Sequence, residues 1–317
     1  MNIGNNILLA ARLLKAGNAV AIPTETVYGL AANAFDPEAV IRIFEIKQRP
    51  KFNPLIVHIG NWAMLDKVAN EMHPQLKNLA TAFWPGPLTI LLHKKPIIHD
   101  IVTADSELVA VRMPNHAITL QLLNTLDFPL AAPSANLFGS ISPTTAKHVA
   151  AQLGNQLDYI LDGGDCSVGV ESTIIKMDNH EQIVILRLGG VSSEAIAQII
   201  GYSPVIAVST DSPEAPGMLK SHYAPKIPLV IGNIPDLLLQ YASESISVLS
   251  FNKSYHHPKI LKVVDLSPTG DLHEAARNLF SAMHELEDSG ATIILAEYLP
   301  NQGIGMAIND RLSRAAS

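Results

Sequence analysis

Cysteine is almost absent from this sequence: Cys166 stands alone, so no internal disulfide can form, and no Cys/His cluster has the spacing of a structural zinc site. Charge is scarce as well, at 16% of residues, and the balance is acidic, −7 at pH 7. Proteins held on nucleic acid by its phosphates present a basic face, so any cationic function here must be local. No apolar run approaches the roughly 20 residues that span a bilayer, and no basic segment leads into a long apolar one at the N-terminus. A cytoplasmic protein without a side-chain metal site is expected. Four motifs are missing: a Gly-x-x-x-x-Gly-Lys-Ser/Thr loop, a Gly-x-Gly-x-x-Gly turn after a strand, a Gly-x-Ser-x-Gly elbow and a His-Glu-x-x-His helix. The signatures of P-loop nucleotidases, dinucleotide enzymes, serine hydrolases and zinc proteases are therefore not the route to this chain's chemistry.

What is present is a well-packed composition, 48% hydrophobic over 317 residues, longer than a single core comfortably supports, so two domains are expected. Strand-like runs fall at 19–22, 55–59, 88–92, 108–112, 130–132, 159–161, 173–176 and 183–188, and helical spacing at 7–16, 116–126, 145–153 and 193–200. A further helix from Asp36, with Pro37 behind it, must end near Arg49 because Pro50 disfavours helical geometry before it. Strands and helices interleave irregularly, which predicts α/β with a mixed sheet. From 201 to 228 five prolines punctuate a stretch with little periodicity, read as a linker. Beyond it, strands at 229–231, 246–251, 260–264 and 292–296 alternate with helices at 235–241 and 271–289, a small parallel-sheet domain. Asp271 and Glu274 form a capping box for the last of these helices.

Candidate chemistry gathers at strand ends. Thr24-Glu25-Thr26-Val27-Tyr28-Gly29 reads as a polar turn at the end of a strand, where open α/β sheets bind ligands. Lys47, Arg49 and Lys51 alternate at a helix end and lead through Asn53-Pro54 into the strand that carries His58. This spacing fits an anion pocket and, equally, a helix C-terminus whose cations complement the macrodipole. Arg112 and Arg187 each close an apolar run, placed either for carboxylate or phosphate recognition or for internal ion pairs. Ala131-Ala132-Pro133-Ser134-Ala135-Asn136, the loop carrying Ser142, and Gly169-Val170-Glu171-Ser172-Thr173 present small and hydroxyl side chains that let a ligand approach the backbone. By themselves these residues define an anion-binding α/β protein and name no reaction.

Taken together, the segments Pro-Thr-Glu-Thr-Val-Tyr-Gly-Leu, Lys-x-Arg-Pro-x-x-Asn-Pro-Leu-Ile-Val-His, Val-Arg-Met-Pro, Ala-Pro-Ser-Ala-Asn and Glu-Ser-Thr-Ile resemble, in order, the YrdC family of threonylcarbamoyl-AMP synthases. The resemblance covers roughly residues 5–200, and Ser221-His222-Tyr223-Ala224-Pro225 with the last domain is similar to the family's long form. It implies a YrdC-like twisted mixed sheet with a concave ligand-binding face (1–200), a linker that doubles as an active-site lid (201–228) and a smaller Rossmann-like α/β domain (229–317). It also implies condensation of L-threonine, bicarbonate and ATP, with Mg²⁺ accompanying the nucleotide, to threonylcarbamoyl-AMP and pyrophosphate. A tRNA threonylcarbamoyl transferase complex would act downstream on the adenosine beside the anticodon.

Carried over residue by residue, Thr26, His58, Arg112, Ala132 and Ser172 surround threonine, with Arg112 on its carboxylate. Arg49, Asn53, Ser134, Ser142, Arg187 and Tyr223 face ATP, and Lys47 and Arg49 are the catalytic cations. Thr24, Asn136 and His222 stand second in rank. Leu108 departs from the pattern, since many relatives carry a hydroxyl residue there. Two other readings share the fold: a carbamoyl-adenylate module using carbamoyl phosphate, and a double-stranded RNA-binding protein.

Overall fold

The computed structural model describes residues 2–207 and 222–317. The middle of the linker read from the sequence, with Pro213, Pro216 and Ser221, lies outside the described residues.

The first sheet is built from β1 (Asn2–Gly4), β2 (Val20–Ile22), β3 (Gly29–Asn33), β4 (Ile56–His58), β5 (Leu88–His93) and β6 (Leu108–Arg112), followed by β7 (Leu130–Ala131), β8 (Tyr159–Leu161), β9 (Thr173–Met177), β10 (Ile183–Arg187) and β11 (Val205–Ile206). They lie in the order β1-β8-β2-β3-β7-β4-β6-β5-β9-β10-β11. The sheet is mixed: β4 runs parallel to β6 and β5 to β9, whereas β3 with β7 and β5 with β6 are antiparallel.

Side chains alternate between the faces of a strand, and this decides where a site can form. Val57, Val109, Val111, Ile183 and Ile185 point into the main core beneath the helices, while Ile56, Ala110, Val184 and Leu186 form a separate small cluster. By the same alternation His58 follows Ile56, and Arg112 follows Ala110, onto the face opposite the main core. In register, His58 pairs with Arg112, so the two polar groups sit side by side at the strand ends.

The helix Pro37–Lys47 begins where Asp36 Oδ1 accepts from the Glu38 and Ala39 amides, with Pro37 in its first turn. It stops at Gln48, which takes the left-handed conformation at φ 52° and lets the chain turn into Arg49-Pro50. Gly29, read as part of a turn, instead opens β3, and the helices Trp62–Val68, Pro74–Phe83 and Gly305–Ala315 add to those expected from periodicity.

The second domain carries β12 (Leu229–Ile231), β13 (Ile246–Ser250), β14 (Ile260–Asp265) and β15 (Ile293–Ala296) in the order β12-β15-β13-β14, all parallel. Its helix Leu272–Glu287 is capped by Asp271 Oδ1, which accepts from the Glu274 amide at 2.7 Å. Glu274 does not close the expected box directly: it accepts from Ser267 Oγ, which in turn accepts from the Asp271 amide.

The two domains share a core. Val27, Ile141 and Val170 from the first pack with Tyr223, Leu279, Phe280 and Ile308. Gly169 sits at this junction with φ +80°, and a Cβ there would stand 2.4 Å from the carbonyl oxygen of Ala276. Gly201, at φ +83°, faces open space. Gly201→Ala is therefore expected to cost about 1 kcal/mol, the left-handed backbone penalty alone. Gly169→Ala should cost at least roughly twice that, because the interdomain backbone must move as well. Calorimetric melting of the two variants against wild type checks the difference.

Candidate active site

The strand ends and loops that carry the candidate groups converge on one cavity. Thr26, His58, Arg112, Ala132 and Ser172 line it, and so do Arg49, Ser134, Arg187 and Tyr223, together with Thr24, Val27, Gly29, Ile56, Pro133, Glu171 and His222. Three of the expected residues stand just behind it. Lys47 is buried and donates from Nζ to the carbonyls of Ser134 (2.6 Å) and Asn136 (2.5 Å), with Asn136 Oδ1 at 3.5 Å. Asn53 is buried beside Arg49, and Ser142 Oγ donates to Glu171 Oε1 at 2.7 Å. Lys47 thus braces the Ser134–Asn136 backbone from below.

Each arginine is fixed differently. Arg112 donates from Nε to the Gly86 carbonyl and from Nη1 to Thr26 Oγ1, and its Nη2 lies 2.7 Å from Glu25 Oε1. That last contact is an ion pair without hydrogen-bond alignment, since the same two atoms have no hydrogen-bond partner. A bulge between Ile185 and Arg187 in β10 inserts Leu186 and re-aims Arg187, which donates to the carbonyl and Oγ of Ser172. Arg49 meets neutral acceptors, the carbonyls of Asn53 and Pro54. Among the described residues neither Arg49 nor Lys47 has a carboxylate within ion-pair distance.

Burial shapes the protonation states. It lowers the Arg49 guanidinium to about 9, with Arg187 nearby acting in the same direction against Tyr223. Burial, then Arg49, pull Lys47 well below its ordinary range. The three oxygens around its ammonium match its three donors and oppose that pull. His58 is pushed down to about 3 by burial and by Arg112, and is neutral. Its Nδ1 lies 3.2 Å from the Ile56 carbonyl; a carbonyl only accepts, so Nδ1 carries the proton and Nε2 is left as an acceptor.

Buried polar groups without a hydrogen-bond partner point the same way. Among the described residues they are both carboxylate oxygens of Glu25, both amide atoms of Asn53, Arg112 Nη2 and the Nδ1 atoms of His116 and His222. Four of these five residues sit on the loops and strand ends that wall the cavity. Each such group costs roughly 1–3 kcal/mol when left unsatisfied, a cost that a bound polar ligand relieves.

The described end of the linker walls the cavity with His222 and Tyr223. Tyr223 is 1% exposed. Its φ of 67° is an unusual left-handed value for an aromatic residue, held by His222, Phe280 and the Arg311 guanidinium, which lies 5.3 Å from the ring centroid. Ala224 bridges to Ser140 and donates to the Gly139 carbonyl, and the His222 amide donates to the Arg314 carbonyl. The space left inside is about 50 Å³, against roughly 300–1,000 Å³ for ordinary ligand pockets.

Sequence reasoning left Glu171, Glu25 and Arg311 unassigned. Glu171 lines the cavity, and its carboxyl is held down at about 2: burial alone would raise it, but Arg311, then Arg187, outweigh that. Arg311 had a legible signal, an arginine on the same helical face as the buried Ala307, Ile308, Leu312 and Ala315.

A closed, cation-rich cavity at the strand ends of a mixed α/β sheet defines an anion-handling site on a YrdC-like fold. The family model described as "Telomere recombination" (Sua5/YciO/YrdC) matches residues 12–189, and that of the threonylcarbamoyl-AMP synthase C-terminal domain matches 191–317. The chain belongs to the Sua5/YciO/YrdC family, in its two-domain form. It is 40% identical to the threonylcarbamoyl-AMP synthase of Pyrococcus abyssi, over 98% of this chain and 94% of the relative. It is 39% identical to that of Bacillus subtilis, over 98% and 92%. The crystal structure of P. abyssi Sua5 complexed with L-threonine superposes with a TM-score of 0.93 at 38% identity, covering 100% of this chain and 98% of that one.

The buried neutral histidine generates a prediction. His58 has a folded-state pKa below its unfolded value, so the unfolded chain binds one more proton between about pH 6.5 and 3, and stability falls as pH drops through that window. In His58→Asn the stability–pH slope over that range should flatten by about 1.4 kcal/mol per pH unit at most. Urea unfolding at a series of pH values reads it.

Proposed function

We propose that this chain is a threonylcarbamoyl-AMP synthase: it joins L-threonine, bicarbonate and ATP into threonylcarbamoyl-AMP and releases pyrophosphate. The observation that carries the reading is Arg49. It is a buried guanidinium on the cavity wall, and among the described residues only neutral carbonyls answer it, so a polyphosphate supplies the missing negative charge.

The threonine amine and bicarbonate give a carbamate and water. A carbamate oxygen then attacks the α-phosphorus of ATP, and the bond to the bridging oxygen of pyrophosphate breaks. No side-chain nucleophile is required, and Cys166 is not poised to be one: it is buried and its thiol is pushed up, by burial first and then by Glu25. The protein's work is alignment and charge stabilisation. Arg112 and Thr26 receive the threonine carboxylate, and His58 Nε2 accepts from its amine or hydroxyl. Ser172 and Ala132 shape the same end. Arg49 and Arg187 face the phosphates, Asn53, Ser134 and Ser142 line the nucleotide side, and Lys47 holds the Ser134–Asn136 backbone against it.

Mg²⁺ enters as part of the substrate, on the phosphates. Among the described residues Glu171 is the carboxylate on the cavity wall, and it already accepts from Arg311 and Ser142. Residues 222–224 act as the lid of the linker: they must move for ATP to enter, and their return excludes water from a hydrolysable adenylate. Among the described residues no helix is long and apolar enough to cross a membrane. The product is passed in the cytoplasm to a transferase complex acting on tRNA.

Pyrophosphate release from MgATP and bicarbonate is expected to require L-threonine. Arg49→Ala should lose at least roughly a hundredfold in activity, in line with removing a charged group that stabilises a developing anion. Tyr223→Ala should release adenylate hydrolysis products in excess of intact product. Turnover independent of threonine in folded wild-type protein would sink the reading.

A further inference from the structure

The second domain contributes one group to the catalytic domain's machinery that neither the motifs nor the alignment of ATP and threonine assigns. Arg311 is 0% exposed on the helix Gly305–Ala315, and its guanidinium donates in three directions, two of them across the junction and one to its own helix. Nε donates to Glu171 Oε2 at 2.8 Å, Nη2 donates to the Leu188 carbonyl at 2.8 Å, and Nη1 donates to Asp310 Oδ2 at 2.6 Å. Its face covers the Tyr223 ring at 5.3 Å. These contacts touch the loop before β9, the end of β10 beyond Arg187, and the residue that closes the cavity.

We propose that Arg311 is a positioning residue that builds the nucleotide side of the pocket from the second domain, fixing Glu171 and through it Ser142, and seating Tyr223 only when the two domains are docked. The proposal rests on the reading of this cavity as an ATP site.

A planar guanidinium with donors in a fixed fork can serve carboxylate, carbonyl and ring together, and an ammonium cannot. Glu171 takes Arg311 on one oxygen and Ser142 on the other, so its position is set jointly by the second domain and by the loop of Gly139–Ser142. The same loop is bound to the lid through Ala224. Arg311 therefore connects lid and phosphate-side loops without touching either substrate. Around Glu171 the other charged or titratable groups are Arg187 from β10 and His222 and Tyr223 from the lid segment. With Arg311 gone, Arg187 is the remaining strong cation beside a carboxylate whose burial favours protonation.

The test compares wild type, Arg311→Lys and Arg311→Met in threonine-dependent pyrophosphate release, with melting temperature recorded for each and assays run well below it. Arg311→Met is expected to raise KM for ATP by roughly tenfold or more, with a smaller effect on KM for threonine. It should also gain an acid limb, losing activity as pH falls from about 8 to 5 where wild type does not, as Glu171 takes up a proton. Arg311→Lys keeps the charge, so its pH profile should match wild type, while KM for ATP lies between the other two.

A residue that only holds the domains together would lower the melting temperature and leave KM, kcat and the pH profile of the folded variant unchanged; that result overturns the proposal. Should Arg311→Met fail to fold, Arg311→Lys decides alone: raised KM for ATP supports it, wild-type KM overturns it. Wild-type protein without threonine-dependent turnover overturns the functional reading, and this inference with it. Active wild type beside an unaltered Arg311→Met overturns this inference alone.

Discussion

Buried positive charge is the constraint around which this molecule is arranged. Lys47, Arg49, Arg112, Arg187 and Arg311 are all buried, and Glu25 and Glu171 are the only buried carboxylates among the described residues. In a chain with a net charge of −7 this is a local inversion of sign, and taking charge out of water is costly unless it is answered. Glu25 answers Arg112 and Glu171 answers Arg311. Lys47 and Arg49 are held by carbonyl oxygens, enough to position them and too little to neutralise them. A site in this state is organised for an anion before the anion arrives, which is the arrangement electrostatic catalysis needs.

The fold supplies that arrangement through simple geometry. Strand alternation lifts His58 and Arg112 away from the main core, a bulge turns Arg187, and a helix ended by a left-handed residue at Gln48 delivers Lys47 and Arg49 to the same place. The second domain packs behind the cavity, against Tyr223. Its core continues into Val27, Ile141, Val170 and Tyr223, so Tyr223 is packed like an interior residue. The left-handed Tyr223 backbone is held in place by packing around its ring.

Much of this was legible in the sequence. Strand ends carrying Arg112 and Arg187, the Asp36-Pro37 helix start and the parallel second sheet follow from periodicity and capping alone, because these are local rules. The candidate residues found through the motifs gather around one cavity, although periodicity could not say so: convergence of residues 26, 58, 112, 172 and 187 is a property of strand order, which no local pattern encodes. For the same reason the pairings of Glu25 and Glu171 were out of reach. Arg311 carries a readable sign, a charged residue on an apolar helix face. Gly29 reads as part of a turn because it follows the polar run Thr24-Glu25-Thr26, while its strand is specified by pairing with β2. The helix Trp62–Val68 has only seven residues, and its stripe is too brief to stand out.

The central claim is that one cavity joins three small molecules without a side-chain nucleophile. Mass spectrometry of the adenylate formed from isotopically labelled bicarbonate, L-threonine and MgATP tests it most directly. The expected product is an AMP conjugate that contains threonine and has gained the label's mass, since the carbamate carbon comes from bicarbonate. An adenylate of threonine lacking the label, or labelled product formed without threonine, would contradict it.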